Sequence, residues 1–242
     1  MAGVTAAAGA SERVRAPPEG CRSVVPMPDP SPAADAEIWV ILVAAGSGHR
    51  FGGAKQYAPL GGRRVLDASI DAARSVAAGV VLVVAPDAVA EAEPAVDVVV
   101  AGGDTRSASV RSGLHAVPAS ADVVLIHDGA RPLASHGLFR AVADAVVAGA
   151  EVVVPVVPVV DTVCDPQGLP IDRDGLRAVQ TPQGFAPGAL RAVHAGAPEA
   201  TDDASLVIAA GGRLRHVAGE RWNLKITEAE DLVVAESLWE QR

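Results

Sequence analysis

Residues 38–57 read IWVILVAAGSGHRFGGAKQY, from Ile38 to Tyr57. An unbroken apolar, β-favouring run, Ile38 to Val43, stops abruptly at a loop of small residues. A strand that is apolar at every position is buried on both faces, as in a parallel sheet covered by helices. The loop carries Ala44, Ala45, Gly46 and Gly48, and then Arg50 and Lys55. Small residues let a backbone come close to a phosphate chain, and glycine also tolerates φ > 0. Arg50 and Lys55 place fixed positive charge beside it. The segment predicts a triphosphate cradle. It is not a P-loop, because Gly-Lys-Ser/Thr is missing, and it is a poor dinucleotide fingerprint, because the third glycine does not fit.

Outward from this stretch, apolar runs alternate with helical patterns. Strands are predicted at Val80–Val84, Val96–Val100, Val123–Ile126 and Glu151–Val156. Between them, Val65, Ser69, Ile70, Ala73, Val76 and Ala77 form one helical face. Val110, Leu114 and Val117 form a second, and Leu138, Val142, Ala145 and Val146 a third. This order predicts an α/β chain with a Rossmann-like, doubly wound, mostly parallel sheet. Ligands of such sheets bind beyond the carboxyl ends of the strands, where the glycine loop lies. Residues 157–180 break the alternation with Pro158 and the turn Pro166-Gln167-Gly168, and predict an extended hairpin or arm. Thr227, with Glu230 three residues on, reads as the capping box of a last helix. Residues 1–36 are rich in Ala, Pro, Gly and Ser and read as a disordered tail, with Met27 as an alternative start. Residues 37–242 then form a single domain.

Composition narrows the function. Half of the residues are apolar and only 3% aromatic, so the core is aliphatic. The net charge of −9 argues against nonspecific nucleic-acid binding and against an anionic membrane surface. No apolar run reaches the roughly 18 residues of a membrane span, and no signal peptide is evident, so a cytoplasmic protein is expected. Cys21 and Cys164 stand far apart, without zinc-site or disulfide spacing. Of twenty basic residues only Lys55 and Lys225 are lysines, and the rest are arginines. That choice points to two positions needing a compact point charge rather than a planar fork.

Further segments carry candidate chemistry. Gly102-Gly103-Asp104-Thr105-Arg106-Ser107-Ala108-Ser109 follows a strand and opens a helix. Gly103 backbone groups and the Ser109 hydroxyl could read the edge of a base, while Asp104 or Thr105 caps the helix. Asp128, in His127-Asp128-Gly129-Ala130-Arg131-Pro132, ends a strand beside the loop, where a Mg²⁺ ligand would sit. His127 reads as structural, and Arg131 has no assigned role. In the second half, Asp202 and Asp203 read as caps of the helix through Leu206 and Ile208. Lys225 lies between apolar neighbours just before a helix, which favours a cleft-facing side chain.

Taken together, AAGxGxR, KQY, GGxxRxxSV, HDxARP, DT, TPQxF, TDDAS and NxKIT resemble the 2-C-methyl-D-erythritol 4-phosphate cytidylyltransferase family, from Ile38 to the C-terminus. The resemblance implies a nucleotidyltransferase fold, with CTP and a polyol phosphate as substrates and Mg²⁺ or another divalent cation as cofactor. It implies a homodimer whose arm, around Asp161–Arg173, reaches over the partner's site. It also implies that Arg50, Lys55 and Lys225 are catalytic. Ala44, Ala45, Gly46, Gly48, Gly103, Asp104, Ser109, Asp128 and Gly129 match nucleotide positions, with Asp128 also the metal position. Thr162, Arg173, Thr181 and Lys225 match acceptor positions. Gly129, Cys164 and Trp222 depart from the family's usual residues. The alternatives are a ribitol 5-phosphate cytidylyltransferase, a related enzyme using another nucleotide, and a noncatalytic nucleotide-binding module.

Overall fold

The computed structural model describes residues 36–90 and 93–242. The tail expected over residues 1–36 falls outside them, apart from Ala36. Strand β1 is Ile38–Val43. A short ribbon, β2 (Pro59–Leu60) and β3 (Arg63–Arg64), leads into helix α1 (Val65–Arg74). Then come β4 (Gly79–Val84), β5 (Val98–Ala101), α2 (Arg106–Ala116), β6 (Val123–Asp128) and α3 (His136–Val147). Strand β7 (Val152–Pro158) runs out to the small hairpin of β8 (Val163–Cys164) and β9 (Pro170–Ile171), and β10 (Arg177–Val179) runs back. The chain closes with β11 (Gln183–Phe185), α4 (Pro187–His194), α5 (Asp203–Ala209), β12 (Leu214–Ala218) and α6 (Ala229–Trp239).

The main sheet has the order β10-β7-β11-β6-β1-β4-β5, and β12 pairs with β7. Strands β6, β1, β4 and β5 are mutually parallel, as are β7 and β12. Strands β10 and β11 run antiparallel to their neighbours. The sheet is thus mostly parallel, as expected. Side-chain alternation splits its residues between two cores. Val40 and Leu42 of β1 face α1 and α3, with Leu66, Ile70, Leu138 and Phe139. Ile41 faces α2, α4 and α5, with Val110, Leu114, Leu190 and Val207. Helix α6 closes a third, smaller cluster with Leu60, Val65, Leu133 and Ile226. No helix among the described residues is long and apolar enough to cross a membrane.

Several boundaries differ from the sequence reading. The strand expected at Val96–Val100 starts two residues later, because the Asp97 carboxylate accepts the Val80 N–H at 2.7 Å and pairs with Arg74. The last helix starts at Ala229, and its box is Glu228 with Asp231 rather than Thr227 with Glu230. Asp231 accepts the N–H groups of both Thr227 and Glu228, at 2.7 and 3.0 Å, while the Thr227 hydroxyl turns to the Lys225 carbonyl. The predicted arm is a hairpin between β8 and β9, but its roots at 156–158 and 177–179 belong to the main sheet.

Gly184 marks the tightest packing of the antiparallel insertion. A Cβ there would lie 2.5 Å from Val142 Cγ1 and 2.9 Å from Val146 Cγ2. Gly184→Ala is expected to destabilise the fold by about 1–3 kcal/mol through overpacking. Urea unfolding checks this, and a wild-type midpoint would show that α3 yields freely.

Candidate active site

The chain winds β1, β4, β5 in one direction and then returns to place β6 on the other side of β1. This reversal is the topological switch point, where the carboxyl ends of neighbouring strands diverge and leave a crevice. The register puts Val43 opposite Asp128, so the end of β6 stands beside the start of the glycine loop. The Gly129 N–H donates to the Val43 carbonyl at 3.0 Å and fixes that neighbourhood. A cavity of about 430 Å³ opens here, walled by the loop after β1, the start of α2, Asp128 and Lys225.

Ala44, Ala45, Gly46 and Lys55 line it. Gly48 does not; it shapes the loop instead. Its φ is +67°, a Cβ would fall 1.9 Å from the Gly53 carbonyl oxygen, and its own carbonyl accepts the Phe51 N–H at 2.9 Å. No residue with a side chain fits there. Gln56 braces the loop from below, donating to the Ala44 carbonyl at 2.9 Å. Arg50 is exposed and outside the cavity wall, close enough to Lys55 to act on its charge. Burial first, and then the like charges of Lys225 and Arg50, press the Lys55 pKa below the ordinary lysine value.

Gly103, Asp104 and Ser109 also line the cavity. The Ser109 hydroxyl is engaged with the backbone of Gly103, accepting its N–H at 3.2 Å, so it holds this edge in shape. Thr105, not Asp104, caps α2, accepting the Ala108 N–H at 3.0 Å.

Asp128 is the centre of the charge arrangement. Lys225 Nζ lies 2.8 Å from Oδ2, Arg131 Nε 3.7 Å from the same oxygen, and Arg106 Nε 3.8 Å from Oδ1. Burial alone would raise the carboxyl pKa, but Lys225, Arg106 and Arg131 outweigh it and hold it down at about 2. Behind Asp128, the Thr181 hydroxyl accepts the Asp128 N–H at 3.1 Å and lies 3.0 Å from His127 Nδ1. Thr181 is therefore a buried support under Asp128, with its hydroxyl engaged by the Asp128 N–H and His127. His127 is fully buried, its Nε2 3.2 Å from the Arg131 carbonyl and its ring against Phe139. Burial pushes its pKa down to about 4, so the ring is neutral and structural, as expected.

Lys225 reaches the cavity through a fastened loop. The Arg131 guanidinium donates to the Asn223 carbonyl at 2.8 Å, and the buried Asn223 amide donates to the Thr181 carbonyl at 2.9 Å. The Ile226 N–H donates to the Ala130 carbonyl at 2.9 Å. Thr162 and Arg173 are not brought to this cavity: both are exposed on the arm, where Arg173 donates to the Val160 carbonyl. Gly129 also lies outside the wall, its carbonyl held by Ser69 at 3.2 Å.

The sequence reading missed Arg106 as a site residue, although the residue sits inside a motif it singled out. It also took Asp203 for a helix cap. Asp202 is the cap, accepting the Ser205 N–H at 2.9 Å. Asp203 is fully buried and paired with Arg106.

Among the described residues no group of three or more His, Cys, Asp or Glu side chains could cage an ion. Asp128 offers a single carboxylate, which suits Mg²⁺ held mainly by phosphate oxygens and water.

The model of the family IspD: 2-C-methyl-D-erythritol 4-phosphate cytidylyltransferase matches residues 38–241. The chain belongs to this family. It is 42% identical to the 2-C-methyl-D-erythritol 4-phosphate cytidylyltransferase of Thermus thermophilus, over 84% of this chain and 97% of that one. It is 44% identical to the protein of the same name from Frankia casuarinae, over 86% of this chain and 83% of that one. The crystal structure of the Thermus thermophilus enzyme superposes with a TM-score of 0.75 at 39% identity, covering 84% of this chain and 99% of that one. Other relatives are longer. The chain is 45% identical to the bifunctional enzyme IspD/IspF of Clavibacter michiganensis over 83% of its own length, but spans only 54% of that protein. The IspD family membership agrees with the resemblance read from the motifs, and the alternative of a ribitol 5-phosphate enzyme is not favoured.

Two depressed pKa values set the acid response of this IspD family chain. The His127 value falls from 6.5 to about 4, so its neutral state stabilises the fold above pH 6.5, a contribution lost as pH falls towards 4. The Asp128 value falls from 3.8 to about 2, so its charge stabilises above pH 3.8, a contribution of about 2 kcal/mol lost as pH falls through 2. Urea unfolding across this range is expected to show both losses, and Asp128→Asn to lack the lower one. A wild-type protein with undiminished stability at pH 3 would contradict the assignment.

Proposed function

We propose that the chain transfers the cytidylyl group of CTP to 2-C-methyl-D-erythritol 4-phosphate, releasing pyrophosphate. The observation that carries this reading is the cationic cavity at the switch point, with Lys55 and Lys225 on its wall around Asp128. An acceptor phosphate oxygen attacks the α-phosphorus of CTP. The new P–O bond forms as the bond from that phosphorus to the bridging oxygen breaks, and pyrophosphate leaves with the electron pair. The attacking oxygen is already anionic, so no protein nucleophile or base is needed. The difficulty is bringing two anions together, which makes the task one of positioning and charge neutralisation.

Lys55 and Lys225 supply that neutralisation as compact ammonium groups. Burial first, and then the nearness of Lys225 and Arg50, lowers the Lys55 pKa, and an incoming triphosphate relieves the repulsive part. Exposed Arg50, outside the cavity wall but near enough to Lys55 to act on its charge, adds positive charge for the triphosphate. Gly46 and the loop leave room for the phosphate chain, and Gly103, Asp104 and Ser109, also on the wall, would receive the base. Mg²⁺, when bound by Asp128 together with the triphosphate, supplies further charge neutralisation there.

The arm completes the reading. Val160, Leu169 and Ile171 expose large apolar surface on it, and Val179 does so at its root. A second copy of this chain would cover such surface and bring Thr162 and Arg173 to the acceptor side of the partner's cavity. Leu169→Asp is then expected to shift the protein from dimer to monomer in light scattering and to lower turnover. A fully active monomer would argue against acceptor residues supplied by a partner.

The deciding assay is pyrophosphate release with CTP and Mg²⁺, comparing 2-C-methyl-D-erythritol 4-phosphate with ribitol 5-phosphate. Release with the former alone is expected. Removing one transition-state charge costs roughly 3–4 kcal/mol, so Lys55→Ala, Lys225→Ala and Arg50→Ala should each lower kcat at least about a hundredfold with the fold intact. Wild-type turnover in any of them would falsify that residue's role.

A further inference from the structure

Arg106, at the first turn of α2, bridges two carboxylates. Its Nη1 donates to Asp203 Oδ2 at 2.6 Å, and its Nε lies 3.8 Å from Asp128 Oδ1. A quarter of the side chain remains accessible, and the residue lines the cavity. Asp203 is completely buried, and its second oxygen, Oδ1, lies 3.0 Å from His194 Nε2. His194 comes from the end of α4, Asp203 from the first residue of α5 and Arg106 from α2. Three elements thus converge on one guanidinium, and the chain His194–Asp203–Arg106 ends at the carboxylate in the middle of the cavity.

A buried carboxylate with no route to water needs partners for both oxygens. Asp203 has two, and each fixes one direction of its plane. A carboxylate held in this way can hold a guanidinium in turn, because the planar fork of arginine transmits orientation. Arg106 has a long flexible side chain, and without this clamp it would sample many rotamers across the cavity mouth. Lys225 pairs with Asp128 in the cavity itself, at 2.8 Å, whereas Asp203 grips Arg106 without lining the cavity.

We propose that Asp203, backed by His194, is a positioning residue for the nucleotide, aiming Arg106 across the cavity so that it steadies Asp128 and presents its remaining N–H groups to CTP. This rests on the reading that the cavity takes CTP. Asp203 and His194 never touch the nucleotide; they act through Arg106. Arg106 itself is a nucleotide-binding residue on the cavity wall, meeting Asp128 at the oxygen that Lys225 leaves free.

The test is a double-mutant cycle on CTP affinity, measured by calorimetric titration of the full chain with CTP in the presence of Mg²⁺. Asp203→Asn and Arg106→Ala are each expected to weaken CTP binding about tenfold, the size of a lost charged hydrogen bond. The pair is expected to bind no more weakly than Arg106→Ala alone, since the effect of Asp203 runs through Arg106. Additive losses in the pair, or wild-type affinity in folded Asp203→Asn, overturn the proposal.

If Asp203→Asn does not fold, His194 serves the same purpose from one step further out. His194→Ala is expected to weaken CTP binding about threefold, and His194→Gln, which keeps a donor near the Nε2 position, to restore it. Equal affinities in the two variants overturn the proposal, because a merely structural role would change thermal stability and leave affinity alone. The pyrophosphate assay stands apart from this cycle. A wild-type chain that binds CTP without releasing pyrophosphate loses the transferase reading but keeps the cycle's answer, whereas one that binds no CTP loses both.

Discussion

The carboxylate of Asp128 is the constraint around which the site is built. It sits buried at the end of β6, where an unpaired charge would be strongly unfavourable. Lys225, Arg131 and Arg106 meet it from three different segments. Each segment is in turn held in place for that meeting. The loop bearing Lys225 is fastened to the β6 end by Asn223 and Ile226, Arg131 is tied to the same loop, and Arg106 is gripped by Asp203. One anion thereby recruits a ring of cations to a crevice that the strand order had already opened.

Neutral groups keep that ring in register. Thr181 takes the Asp128 N–H, and His127 fills the space behind it as an uncharged imidazole between Thr181 and the Arg131 carbonyl. A charged imidazole there would compete with the cations for Asp128, and burial keeps it from forming. The support layer is therefore polar and satisfied but carries no net charge, leaving the field of the cavity to the lysines and arginines.

That field runs against the molecule as a whole. The chain carries a net charge of −9, yet both of its lysines line the same cavity. A local positive potential in an acidic protein draws small anions to one place and leaves the remaining surface unattractive to polyanions such as nucleic acids. The arm exposes large apolar side chains among its charged ones, and such apolar surface suits contact with another protein surface.

The sequence by itself determined the parallel half of the sheet, the loop after β1 and the identity of its most telling residues. Short continuous Val, Ile and Leu runs at Val80–Val84 and Val123–Ile126, alternating with helical patterns, pointed to strands covered on both faces, and the two lysines stood out because they were scarce. The motifs, read together, also carried the family. The tertiary structure alone decided the rest. The three-residue strand β11 has too few positions to show a period, and it was recognisable only between β6 and β7. Asp202 and Asp203 are adjacent and chemically alike, yet one, half-buried, caps a helix and the other lies fully buried against Arg106. Thr181 matches a motif position, but only the fold shows its hydroxyl taking the Asp128 N–H beside His127. In each case the deciding partner lies tens of residues away along the chain, and local pattern holds no record of a neighbour that only the packing of the sheet brings near.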